Sequence, residues 1–138
     1  MSRLQQAAEK AIRQSLRLRP GERFLLVTDK AKLEIAEALA DAARRAGAET
    51  TTYLMTESLR PIVEPPRLLR EAAERATAIA YVLEARAEEK PFRGYLVRTG
   101  RTRSRILMMP GLTGEMMIRL VNIDYDRLRR FTEKVIRA

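Results

Sequence analysis

Neither cysteine nor histidine occurs in the 138 residues. Without cysteine there is no disulfide and no thiolate nucleophile, and nothing argues for an oxidising compartment. Without either residue, the usual zinc sites and the nucleophilic constellations built on histidine or cysteine are excluded. The four serines, Ser2, Ser15, Ser58 and Ser104, have no imidazole to activate them, and none lies in a Gly-x-Ser-x-Gly elbow. Tryptophan is absent too, and aromatics make up only 5% of the chain, too few for a platform that stacks bases. No apolar run approaches the roughly 20 residues that span a bilayer. The start, Met1-Ser2-Arg3-Leu4-Gln5, lacks the apolar core of a signal peptide. A cytoplasmic protein with no membrane attachment is therefore expected.

What the chain does have is apolar residues at 46% and a net charge of +9. Its length suits one domain, residues 1–138, with a substantial core. The positive charge is concentrated: residues 86–105 carry Arg86, Lys90, Arg93, Arg98, Arg101, Arg103 and Arg105 against Glu88 and Glu89 only. Such a field attracts polyanions, so Arg93, Arg98, Arg101, Arg103 and Arg105 are candidate anion-binding residues. The bland alternative is a solvated helix and loop in an arginine-rich proteome, such as a thermophile's.

The chain organises around Phe24–Val27, four bulky apolar residues preceded by Pro20-Gly21 and followed by a helical pattern from Ala31 to Gly47. A strand without polar alternation is buried on both faces, and the helix that follows implies a parallel sheet between helix layers. Before it, Ser2 and Gln5 form a capping box for an amphipathic helix over residues 3–17. In the helix from Ala31, Asp41 and Arg45 form an attractive pair, and Gly47 suits the left-handed residue that ends it. Residues 49–55 read as a second strand whose threonines suggest a sheet edge. Thr56 to Pro66 reads as an exposed loop, and Pro65-Pro66 opens a third helix carrying Leu68, Leu69, Ala72, Ala73 and Ala76. Ile79–Leu83 is a third strand, 86–103 a helix disturbed by Pro91, and Ile106–Met109 a fourth strand. Thr113 caps a short helix reaching Leu120, and Asp124 opens a last one with Leu128, Phe131 and Val135 on one side. The alternation predicts an α/β fold: an open, mostly parallel four-stranded sheet of order 2-1-3-4 with helices on both faces, Rossmann- or flavodoxin-like.

Ligands of such sheets gather beyond the carboxyl ends of the strands, at the switch between the first and third. Thr28, Asp29, Lys30, Glu84 and Thr113 are the candidate residues on that edge. Each also has a structural reading, as a helix cap or a solvated strand end. The first strand-to-helix turn contains no Gly-x-Gly-x-x-Gly, Gly-Lys-Ser or Gly-Lys-Thr, which removes both familiar ways for backbone to wrap a phosphate. Asp29, Glu57 and Glu84 share the predicted edge, a set able to hold a hard cation such as Mg²⁺, although acids are common at strand ends. No cofactor is assigned.

Several stretches together resemble the amino-terminal domain of the thermophilic metallo-aminopeptidases of the aminopeptidase T type. They are Leu18-Arg19-Pro20-Gly21-Glu22-Arg23, Thr28-Asp29, Leu33-Glu34-Ile35-Ala36-Glu37-Ala38-Leu39-Ala40 and Gly47-Ala48-Glu49. Ile106 to Met117 and the closing Asp124-Tyr125 and Thr132-Glu133-Lys134 continue the likeness. The resemblance implies that two metal ions and a carboxylate base, in a second domain expected to be missing here, cleave the amino-terminal residue of a peptide. This domain would help to enclose that cavity. The first expectation is thus a non-catalytic module, inactive alone, with a homodimer as its association state and a separate metal-binding subunit as a further partner. The amino-terminal and closing helices are the expected dimer contacts. The second is a stand-alone anion- or nucleic-acid-binding protein that uses 86–105 for weak, sequence-blind contacts. A natural small protein, a fragment and one part of a split enzyme all fit the sequence.

Overall fold

The computed structural model describes residues 1–120, with backbone alone at 100–103 and 120. The helix expected from Asp124, with Tyr125, Leu128, Phe131 and Val135, lies outside the described residues. Strands β1 (Arg23–Thr28), β2 (Glu49–Leu54), β3 (Ala78–Val82) and β4 (Arg105–Met108) form one sheet of order β2-β1-β3-β4. Every pairing in it is parallel, so the expected topology is observed. The apolar runs of β1 and β3 are buried on both faces, whereas β2, rich in threonine, is the half-wet edge.

Helices cover both faces. Phe24, Leu26, Ala80 and Leu107 pack against α1 (Arg3–Lys10), α2 (Leu33–Arg45) and α5 (Gly114–Leu120). On the other face Leu25, Val27, Ile79 and Met108 meet α3 (Arg67–Arg75) and α4 (Lys90–Arg103). The amino-terminal helix, an expected dimer contact, docks here on its own sheet, with Ala7, Ala8, Ala11 and Ile12 buried.

Local chemistry explains most of the boundaries. Ser2 Oγ accepts the Gln5 N–H at 3.1 Å and Gln5 Oε1 accepts the Ser2 N–H at 2.8 Å, completing the capping box. The expected α-helix over 3–17 is shorter, because Ala11–Ser15 winds into a π turn and Arg17 takes φ 50. That wider turn lets Leu16 and Leu18 both reach the core. Gly47, at φ 88, closes α2: its N–H reaches Arg44 O and the Ala48 N–H reaches Ala43 O, the two bonds of a Schellman motif. Within α2, Asp41 pairs with Arg44 at 3.4 Å rather than with Arg45, since the i,i+3 geometry brings that guanidinium closer. The helix expected over 86–103 begins as a tight turn at Ala87–Glu89 and becomes α-helical only from Lys90, where Pro91 fits the first turn.

Candidate functional site

The segment between β2 and α3 is exposed over most of its length, as expected, but sends three of its side chains inward. Its Ile62 and Pro65 are buried, and the Arg60 side chain is 0% exposed. Three prolines in eleven residues (56–66) leave it little helix or strand propensity, so it runs without α-helix or strand past the strand ends. It lays Arg60 across the carboxyl edge of the sheet, in the crevice between β1 and β3 where a ligand would be sought.

Arg60 is held on all sides. Its Nη1 donates to Asp29 Oδ2 at 2.6 Å and to Glu57 Oε1 at 3.3 Å. Its Nε donates to Glu89 Oε2 at 3.0 Å, and Nη2 reaches both Glu89 Oε1 and the Glu84 carbonyl oxygen. The Asp29 and Glu89 side chains are themselves 0% exposed. Each acid has backbone partners as well: Asp29 Oδ1 accepts the Lys32 N–H at 3.0 Å, Asp29 Oδ2 the Glu84 N–H at 2.9 Å, and Glu89 Oε2 the Ile62 N–H at 3.1 Å. Arg86 donates to Glu57 at 3.1 Å at the rim. A buried charge is tolerated when it is paired and its remaining lone pairs and protons are bonded, and this cluster meets both conditions.

The titration of the cluster follows from its contacts. Burial pushes the Glu89 carboxyl up, but the hydrogen bonds from Arg60 and the Ile62 N–H, with the charges of Arg60 and Arg86, leave it below the ordinary glutamate range. Hydrogen bonding to Glu89 is the largest influence on Arg60, whose pKa is raised, so the guanidinium stays charged. Beneath the cluster the Tyr81 phenol is pushed up by burial, its ring 6.2 Å from that of Phe92.

The sequence-predicted edge residues are brought to the same end of the sheet but serve different ends. Thr28 is buried and its Oγ1 donates to Val82 O at 2.8 Å, tying β1 to β3. Asp29 caps the turn Lys30–Lys32 besides holding Arg60. Lys30 and the Glu84 side chain are exposed, and Thr113 Oγ1 accepts the Met116 N–H at 3.1 Å as the expected cap. The expected Mg²⁺ set of Asp29, Glu57 and Glu84 does not assemble: Asp29 and Glu57 meet at the Arg60 guanidinium, whereas Glu84 supplies only its backbone N–H and C=O and its carboxylate is exposed. Among the described residues no group of three His, Cys, Asp or Glu is arranged to hold a metal. Arg60 and Glu89 are the residues that sequence reasoning missed.

The basic segment is strung out. Arg93 donates to Arg86 O at 2.8 Å near the carboxyl edge, while Arg105 sits at the start of β4, at the opposite edge, bonded to both oxygens of Glu22 at 2.7 Å. Burial raises the Glu22 carboxyl, and hydrogen bonds from Arg105 and the Arg19 N–H more than offset this, so its pKa is lowered. Arg98 is exposed on α4 between those ends. The side chains of Arg101 and Arg103 lie outside the described residues.

Fold and site together define a doubly wound parallel α/β domain whose strand-end crevice is filled by its own arginine. No protein-family model matches the sequence. No curated protein matches it either. Among solved structures, the 2,5-dihydroxypyridine dioxygenase of Pseudomonas putida KT2440 is similar in fold, with a TM-score of 0.60 at 17% identity over 83% of this chain. AmpT from Thermus thermophilus aligns over 92% of this chain with a TM-score of 0.49 at 18% identity. The chain spans 36% of the first protein and 42% of the second. No helix among the described residues is long and apolar enough to cross a membrane.

Proposed function

We propose that the chain is a non-catalytic module, comparable to the amino-terminal domain of a metal-dependent aminopeptidase, that supports or encloses a catalytic partner domain. The observation that carries this reading is the Arg60 cluster. The crevice in which a doubly wound sheet ordinarily receives a ligand holds a guanidinium and two buried carboxylates whose hydrogen bonds are used internally. No imidazole or thiolate exists anywhere in the chain to build a two-metal hydrolytic centre. The metal ions and the carboxylate base would come from the partner, as a second domain or a separate subunit. For the nucleic-acid alternative, the described arginines of 86–105 do not cluster: Arg93 lies near the carboxyl edge of the sheet and Arg105 at the opposite edge, paired with Glu22.

The test is elemental analysis of the purified chain together with a hydrolysis assay on aminoacyl amides, with Zn²⁺ or Co²⁺ supplied. The expected result is no turnover and no retained metal. Stoichiometric transition metal or measurable hydrolysis by this chain alone would overturn the proposal.

A further inference from the structure

Strand β2 ends the sheet, and the alternation of a parallel ladder fixes which of its backbone groups face outward. Glu49 N–H donates to Glu22 O and Met55 N–H to Thr28 O, so the odd-numbered residues of this stretch bond to β1. Thr50, Thr52 and Leu54 therefore turn their N–H and C=O groups away from the sheet, and no described strand pairs with them. Such edges are normally blunted by lysine, proline or a bulge. From Thr50 to Met55 there is no charge, no proline and no glycine, Thr52 is exposed, and Leu54 is 50% exposed.

We propose that this edge pairs with the β2 of a second copy, antiparallel about a two-fold axis at Thr52, joining two sheets into one of eight strands. The spacing is self-complementary. With Thr52 opposite its own copy, Thr50 faces Leu54 of the partner subunit, and the outward groups make six backbone hydrogen bonds. Glu49 then lies opposite the partner's Met55, so no like charges meet in the ladder.

The helix layer fits the same axis. Helix α2 packs on β1 and β2 alike, about half a strand spacing inside the edge. With strands about 4.8 Å apart, the two-fold sets the paired α2 axes about 10 Å apart, the upper end of ordinary helix packing. The side of α2 that overhangs Thr52 is an open groove of about 390 Å³ lined by Leu33, Ala36, Glu37, Ala40, Asp41 and Arg44. Its small alanines permit close approach. Its charge is complementary to itself, since reversal about a point between Ala40 and Asp41 brings Glu37 opposite the partner's Arg44. This argues for a second copy as the occupant over an unrelated strand.

The absence of cysteine makes the test clean. A Thr52→Cys chain should cross-link on mild oxidation, because directly opposed hydrogen-bonded residues have Cα atoms about 5.5 Å apart, within the disulfide range. Thr50→Cys should not, its two copies lying about 14 Å apart along the strands. Sedimentation of the unmodified chain should give twice the 15.8 kDa chain mass. Thr52→Lys and Thr52→Glu should each sediment as monomers with unchanged circular dichroism, and mixing them should restore the dimer through opposite charges on the axis. A monomeric unmodified chain, which is also the outcome if another protein's strand is the true occupant, overturns the proposal. So does equal cross-linking at positions 50 and 52, or a dimer indifferent to Thr52→Lys.

Discussion

Replacing Arg60 by methionine removes the cation from the crevice while keeping comparable side-chain volume. It leaves Asp29 and Glu89, both with fully buried side chains, without the cation bonded to each of them. Breaking a buried ion pair by deleting one partner typically costs about 3–5 kcal/mol, because the remaining charge stays desolvated. For a chain of this size that is roughly a 10–15 °C fall in Tm. The loss should depend on pH, and the sign can be worked out. In the parent protein Glu89 is held below its ordinary value, so its contribution is full above the unfolded value, about 4.3, and fades as pH falls through the lower folded one. In the variant, burial acts on Glu89 without Arg60 and raises it, so protonation on acidification relieves the strain. The gap between parent and variant should therefore narrow from pH 7 to pH 4.5. Urea unfolding at both pH values measures it. A loss below about 1 kcal/mol at pH 7, the range of exposed ion pairs, would refute the reasoning. So would a loss that does not change with pH.

Three further outcomes are expected. Gly47→Ala should destabilise by about 1 kcal/mol or more, because φ 88 disfavours any Cβ and the new atom would stand 3.1 Å from Pro20 Cβ; thermal melts will show it. Thr113→Ala should lose about 0.5–2 kcal/mol through the missing cap of α5, and an unchanged melting temperature would argue against that cap. Any DNA affinity of the chain should fall steeply with salt and ignore sequence, as fluorescence anisotropy on unrelated duplexes can establish; selection of one sequence at physiological salt would favour the nucleic-acid reading.

Much of the fold was legible because it is written in local patterns. The unbroken apolar runs of β1 and β3 mark central strands, the threonines of β2 mark an edge, and Ser2, Gly47 and Thr113 act as caps through partners a few residues away. The site was legible only in part. Asp29 could be placed at the switch point from topology, but the partner that decides its role, Arg60, is 31 residues away, and Glu89 is 29 residues beyond Arg60. No periodicity encodes such a meeting. Among ten acidic and basic residues in 84–105, Glu89 looked like its exposed neighbour Glu88, and only tertiary packing separates them. The signals available in hindsight were an arginine beside apolar Leu59 and Ile62 and a loop stiffened by proline that had to cross the strand ends.

The strand-end crevice is occupied by the protein's own guanidinium. Nitrogen-15 NMR of the arginine side chains at neutral pH tests it most directly, because a fully buried guanidinium bonded through Nε, Nη1 and Nη2 cannot rotate or exchange its protons freely. The prediction is a set of separately resolved, slowly exchanging Nε and Nη protons that disappears in Arg60→Met. If every arginine exchanges at solvent rates, or if the resolved set survives the substitution, Arg60 does not fill the crevice.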